Sequence, residues 1–283
     1  MTRALRISLL ASAVLSHFAA PAAEKGGKEW WPQFRGPNSS GIGEGSPPIQ
    51  FGPSQKVLWK VAVGSGLSSP IVWGDRLSLT EFDRTNKQFA TVCIDRRSGK
   101  NLWRRTVVAE AIEKVHEISS PAGATPVVDG ERVYVYFGSY GLVCYDLNGK
   151  QQWERRLPNP ENPYGAVASP IVAGELLVLN HQGKDSYLLA VNRRDGRTVW
   201  KTDRSLFQYG WSTPVHWRHD GIDEIVVPGR RLQAESASHG LQSRGWGRAM
   251  VGRWIATMRE KHTGSRRRAA VFRGPGHHHG AGG

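Results

Sequence analysis

Tryptophan recurs at positions 59, 103, 153 and 200, at intervals of 44, 50 and 47 residues, and the same landmarks return in the same order between successive indoles. A Ser/Thr-Pro pair stands at Ser69-Pro70, Thr125-Pro126, Ser169-Pro170 and Thr213-Pro214. Apolar residues follow it: Ile71-Val72, Val127-Val128, Ile171-Val172, and Val215 alone in the fourth unit. Turn residues come next at Gly74-Asp75, Asp129-Gly130, Gly174-Glu175 and Asp220-Gly221. Each turn leads into a second apolar or alternating run, such as Val133-Tyr134-Val135-Tyr136 or Ile225-Val226-Val227. Two β-rich runs about a tight Gly/Asp turn read as a hairpin.

The second half of each unit is more specific. Residues 93–103, 144–153 and 190–200 each read as strand, Asx turn, Gly, strand, Trp, the middle one being a residue shorter. Asp95, Asp146 and Asn192 open these turns, because an Asx side chain bonds its own backbone two residues on. The glycines supply the positive φ such a turn needs. Four short strands in a repeating unit of this size are the signature of a β-propeller blade. The sequence therefore predicts an all-β fold, a β-propeller of four-stranded antiparallel blades, with about three and a half blades between residues 23 and 234. One indole buries about 150–250 Å², so the recurring Trp is expected to pack blade against blade. An accidental repetition within a β-sandwich would not keep the same anchors in the same order four times.

The unit resembles the PQQ-like (quinoprotein-type) β-propeller repeat, whose blade ends in A-x-D-x-x-T-G-x-x-x-W. Residues 93–103 and 190–200 match that ending with Ser98 and Asp195 at the Thr place, and 144–153 matches with a one-residue deletion. The stretch Trp31-Pro32-Gln33-Phe34-Arg35-Gly36-Pro37-Asn38 is similar to the start of many exported bacterial members, and the resemblance spans roughly residues 30–234. It implies the fold firmly and the function in two directions, because one propeller serves as enzyme and as scaffold. One is a non-catalytic binding or assembly scaffold, as in the outer-membrane assembly propeller lipoprotein. The other is a PQQ-dependent oxidoreductase of alcohols or sugars, which holds PQQ and calcium above the axis with a catalytic Asp and, in many members, two adjacent cysteines. Adjacent cysteines are absent here: Cys93 and Cys144 fall at matching places in consecutive units, where the third has Ala190. They read as small buried strand positions, and a disulfide between them is not expected, because its geometry is demanding.

Arg3 and Arg6, the uncharged stretch from Ile7 to Ala20 and the Ala20-Pro21-Ala22-Ala23 site form a secretory leader. Residues 1–22 are thus expected to be cleaved after Ala22 or Ala23, giving a periplasmic or secreted product; no Cys lies nearby to take a lipid. The competing reading, an uncleaved membrane anchor, needs a longer apolar stretch. The formal net charge of +14 suggests a polyanion partner. Residues 23–234 carry 27 basic against 22 acidic side chains, however, so half of the net charge sits in residues 235–283. That tail has ten Gly, eight Arg and five His in 49 residues, with dense spots at Arg266–Arg268 and His277–His279. It admits three readings: a polyanion-binding extension, a disordered terminus, or translation out of frame beyond about residue 234. In each case an unclosed propeller is expected to need its missing blades or a partner, because an open edge exposes apolar surface.

No metal site is expected, the His277–His279 run having no folded neighbourhood. H-E-x-x-H, Walker and G-x-S-x-G motifs do not occur. The Gly/Ser-rich stretch at 64–69 precedes a strand rather than a helix and so is not expected to cradle phosphate. Binding is expected where loops line one mouth of the propeller, between each Trp and the next Ser/Thr-Pro. Those loops contain His116, Glu117, Tyr164, Gln208, Tyr209 and Trp211. Aromatic rings with a few polar groups suit a planar ligand, a sugar or a peptide, and His116 with Glu117 is the one adjacent acid/base pair.

Overall fold

The computed structural model describes residues 30–207, 210–219, 222–228 and 255–258. The expected leader 1–22, Gln208, Tyr209 and all of the tail 235–283 except 255–258 lie outside the described residues. The fold is all-β. The first blade is β1 (Ile71–Trp73), β2 (Arg76–Asp83), β3 (Gln88–Asp95) and β4 (Asn101–Val108), hydrogen-bonded in that order. The second is β5 (Val127–Val128), β6 (Arg132–Phe137), β7 (Gly141–Asp146) and β8 (Gln151–Arg156). The third is β9 (Ile171–Ala173), β10 (Leu176–His181), β11 (Tyr187–Asn192) and β12 (Thr198–Asp203). A fourth sheet holds β13 (Val215–His219), β14 (Ile222–Val226) and β15 (Ile255–Met258), the last drawn from the tail. All neighbours are antiparallel. The inner strands β1, β5, β9 and β13 touch in sequence, so the sheets fan about one centre, and the described sheets do not close into a ring.

The register shows why the landmarks recur. Each blade carries one cross-strand row: Ile71, Ser78, Cys93, Trp103 in the first; Val127, Tyr134, Cys144, Trp153 in the second; Ile171, Val178, Ala190, Trp200 in the third. Cys93, Cys144 and Ala190 face the indole directly, which explains why that place is small. The register slips one residue beyond each of them, a β-bulge repeated in all three blades. Both cysteines are free and fully buried, and burial raises both thiols, Cys144 to about 12.

Two hydrogen-bond series join the blades. On the outside, Trp59 Nε1 donates to Arg96 O (2.8 Å), Trp103 Nε1 to Leu147 O (3.0 Å) and Trp153 Nε1 to Arg193 O (3.0 Å). Each acceptor lies in the Asx-Gly turn of the next blade, and each turn glycine lies flat against the indole. A Cβ on Gly99, Gly149 or Gly196 would stand 2.8, 2.6 or 2.7 Å from a ring carbon of Trp59, Trp103 or Trp153. The glycine therefore serves the positive φ and the indole's seat together. On the inside, the Ser/Thr of each Ser/Thr-Pro pair takes up the amide of its predecessor. Ser69 N donates to Thr125 Oγ1 (3.0 Å), Thr125 N to Ser169 Oγ (2.9 Å) and Ser169 N to Thr213 Oγ1 (3.1 Å). The sequence marks these residues without indicating that they bond one another.

Core side chains fill the gaps between blades. Alternate residues of β6 face opposite ways: Val133, Val135 and Phe137 pack on the first blade, Tyr134 and Tyr136 on the third. A smaller cluster joins Ile171, Val178, Leu188 and Ala190 to Ile225 and Val227. The stretch 31–39 crosses the hub: Trp31 pairs with Val72, Pro32 O accepts from Val128 N (2.9 Å), and a single 3-10 turn at Pro37–Ser39 touches β13. It lies on the side of the tight β1–β2 and β5–β6 turns and leaves the opposite mouth to the long loops.

Candidate functional site

The mouth opposite that strap is built from the loops that follow β4, β8 and β12, together with the ends of β6 and β10. Of the rings read from those loops, His116, Tyr164 and Trp211 come together. His116 and Tyr164 have ring centroids 5.6 Å apart at 32°, and Tyr164 meets Trp211 edge-on at 5.3 Å and 84°. Main-chain and side-chain bonds fix the row. His116 N donates to Pro163 O (2.8 Å), Ser119 Oγ to Tyr164 O (2.7 Å), and Trp211 Nε1 to Asn162 Oδ1 (3.1 Å). Tyr164 and Trp211 remain 40% and 38% exposed, enough to meet a ligand.

Other expectations fare differently. Glu117 is exposed and makes no bond to His116; the imidazole Nδ1 instead accepts from Ile118 N (3.3 Å). Glu117 sits in the turn that Ser119 N closes on His116 O (2.8 Å), and the structure does not assemble the two side chains as an acid/base pair. Asp95, Asp146 and Asn192 act as turn caps: Asp95 Oδ1 accepts from Ser98 N (2.7 Å), Asp146 Oδ1 from Asn148 N (2.9 Å) and Asn192 Oδ1 from Arg194 N (2.8 Å). The 64–69 stretch straps the first blade, with Gly64 N donating to Glu81 Oε1 (2.7 Å) and Leu67 N to Ala122 O (3.0 Å).

Sequence reasoning missed the polar layer beneath the row. Three buried amides hold the 210–212 segment. Besides Asn162, Asn180 Nδ2 donates to Ser212 O (2.8 Å) and Gln182 Nε2 donates to Gly210 O. Each amide keeps one atom buried without a partner: Asn162 Nδ2, Asn180 Oδ1 and Gln182 Oε1. Glu113 joins two mouth loops, its Oε2 accepting from Ala166 N (3.0 Å) while Oε1 is buried unpartnered. Burial raises its carboxyl to about 7 despite those bonds. His181 stacks on Tyr187 (4.4 Å, 15°) and meets Tyr136 Oη at 3.0 Å; burial, then the nearby Lys201 charge, lowers it to about 4. No local pattern marks Glu113 or His181, because long-range packing creates their burial. Among the described residues no group of three His, Cys, Asp or Glu side chains is gathered for a metal, and the two cysteines sit in different blades. The adjacent cysteines that the resemblance implies for many PQQ-dependent members are absent.

Residues 50–206 match the family model described as outer membrane protein assembly factor BamB, which is more than half of the chain. The chain belongs to that family. Among solved structures it is similar to BamB from Moraxella catarrhalis, at 16% identity over 63% of this chain and 54% of that one, TM-score 0.44. It is also similar to the quinohemoprotein alcohol dehydrogenase from Comamonas testosteroni, at 12% identity over 58% of this chain and 29% of that one, TM-score 0.45. A europium-containing methanol dehydrogenase aligns at 13% identity over 53% of this chain and 27% of that one, TM-score 0.41. The chain thus spans about half of that BamB and under a third of either dehydrogenase. No curated protein sequence matches it. Among the described residues no helix is long and apolar enough to cross a membrane.

Proposed function

We propose that the chain is an exported, non-catalytic binding scaffold whose mouth row His116–Tyr164–Trp211 receives a segment of a partner protein. The supporting observation is the convergence of three loops from separate blades into one half-exposed aromatic row held by a buried amide. Exposed aromatics on rigid supports are the usual anchors of a protein interface. Membership in a family described as an outer membrane assembly factor supports the same reading, and the leader supports export.

A photo-crosslinking side chain at Tyr164 tests it in the producing cell. The scaffold reading expects one discrete polypeptide adduct that disappears on Trp211→Ala and is absent when the crosslinker replaces the exposed Leu102 on β4. Adducts of equal yield at both positions would defeat it. The second reading, a quinoprotein oxidoreductase, is favoured by the repeat resemblance. Dye-linked oxidation of an alcohol or sugar after adding PQQ and calcium would overturn the scaffold reading. N-terminal sequencing of the exported product should begin at Ala23 or Glu24; a retained Met1 would remove the cleaved leader.

A further inference from the structure

Arg204 stands at the start of the loop after β12 and is 7% exposed. Its backbone is fixed, N donating to Ser186 O (2.8 Å) and O accepting from Phe207 N (2.7 Å). Its side chain is poorly provided for. Among the described residues Nη2 reaches Pro228 O at 3.5 Å, the guanidinium lies 5.4 Å from the Phe207 ring, and Nη1 is buried with no acceptor. Asp203, its neighbour in sequence, is turned away, Oδ1 accepting from Ser205 N (3.2 Å) and Oδ2 from Ser205 Oγ (2.9 Å). Burial moves the guanidinium down, to about 10, and no carboxylate of the described residues acts on it. The contrast with Arg193 is sharp: that side chain takes Asp129 on Nη1 and Glu175 on Nη2.

An ionised group withdrawn from water normally has a counter-charge, because its lost hydration must be replaced. A guanidinium stays charged and presents a planar fork of donors that fits a carboxylate or a phosphate. The loop carrying Arg204 also carries Gly210 and Trp211, and Ser186, which meets its backbone, follows Gln182, whose Oε1 is itself unpartnered. We infer that Arg204 is an oxyanion-binding residue at the propeller mouth, taking the carboxylate or phosphate group of a small ligand. This goes beyond the aromatic row and does not depend on it.

The test uses the full chain at constant ionic strength, with chloride replaced by inorganic phosphate in one arm and by acetate in the other. Binding to the native state alone raises Tm by mass action. At tenfold the half-saturating concentration the shift should be roughly 3–5 °C. A response to phosphate or to acetate supports the inference and tells which group the site prefers. Arg204→Met should abolish the response and melt above the wild type in chloride, since a buried unpaired charge has been removed. Arg204→Lys should keep the charge, lose the fork and weaken the response at least tenfold. Leu102→Ala, on the exposed face of β4, should leave it unchanged. Should Arg204→Met fail to fold, 31P line-broadening of phosphate on the wild type, competed by acetate but not by chloride, replaces it. A wild-type Tm indifferent to both anions, or an Arg204→Met protein that responds equally, overturns the inference.

Discussion

Replacing Gly149 by Ala tests the indole seat by separating two costs. Gly149 has φ +80°, and an added Cβ would stand 2.6 Å from Trp103 Cδ2. Gly74 has φ +57°, and a Cβ there meets nothing within 4 Å. Gly74→Ala therefore carries only the left-handed backbone strain, about 1 kcal/mol. Gly149→Ala carries the same strain and must also displace a 7%-exposed indole that donates to Leu147 O. Truncating a buried Trp costs about 3–5 kcal/mol, and displacement should forfeit about half of that. The expected sum for Gly149→Ala is about 3 kcal/mol. In a Trp103→Ala background the clash has no object, so Gly149→Ala should fall back to about 1 kcal/mol, a coupling of about 2 kcal/mol. Urea unfolding followed by far-UV circular dichroism measures the wild type and the four variants. Equal costs for Gly74→Ala and Gly149→Ala, or full additivity with Trp103→Ala, would refute the clamp.

Further expectations follow from the inner series and the buried titratable groups. Thr125→Val removes the acceptor of Ser69 N and should cost about 1–2 kcal/mol, whereas Thr125→Ser should be nearly neutral, since Ser169 does the same work one blade on. Glu113 binds its proton more tightly folded than unfolded. Its stabilisation is complete below about pH 4.5 and is lost as pH rises through about 7, about 3 kcal/mol in all. His181 has the opposite sign: its contribution is present above pH 6.5 and lost as pH falls towards about 4. The wild type should therefore show a shallow profile between them, Glu113→Gln a stability that rises with pH, and His181→Gln one that falls. Parallel profiles for the three proteins would contradict these assignments. Asp129 is a fourth case. Burial opposes its ionisation, but Tyr134, Glu131, Arg132 and Arg193 outweigh it and hold its carboxyl below the usual range. Asp129→Asn should flatten the loss of stability below about pH 4 in an acid titration.

The propeller was legible because each blade repeats the same solution, so the constraints on one unit were written several times. Trp103, Trp153 and Gly196 could be singled out in this way. Their partners could not, because Leu147 O and Arg193 O are main-chain carbonyls, which any residue supplies. The mouth aromatics were readable as loop residues, but their convergence depends on the angle between blades. Glu117 looked like the partner of His116 because the two are adjacent, whereas the buried carboxyl is Glu113, four residues before Glu117 and unmarked by any pattern. Arg204 was one arginine among many until its burial without a carboxylate among the described residues set it apart.

Hydrogen–deuterium exchange of the indole N–H groups, read by 15N–1H NMR with each peak assigned by Trp→Phe substitution, bears most directly on the joining of blade to blade. The peaks of Trp59, Trp103 and Trp153 should outlast the rate of a free indole by orders of magnitude and vanish together on global unfolding. Exchange of all three at the free rate in the folded protein would mean that the rings stand in water and that the blades are joined by something else.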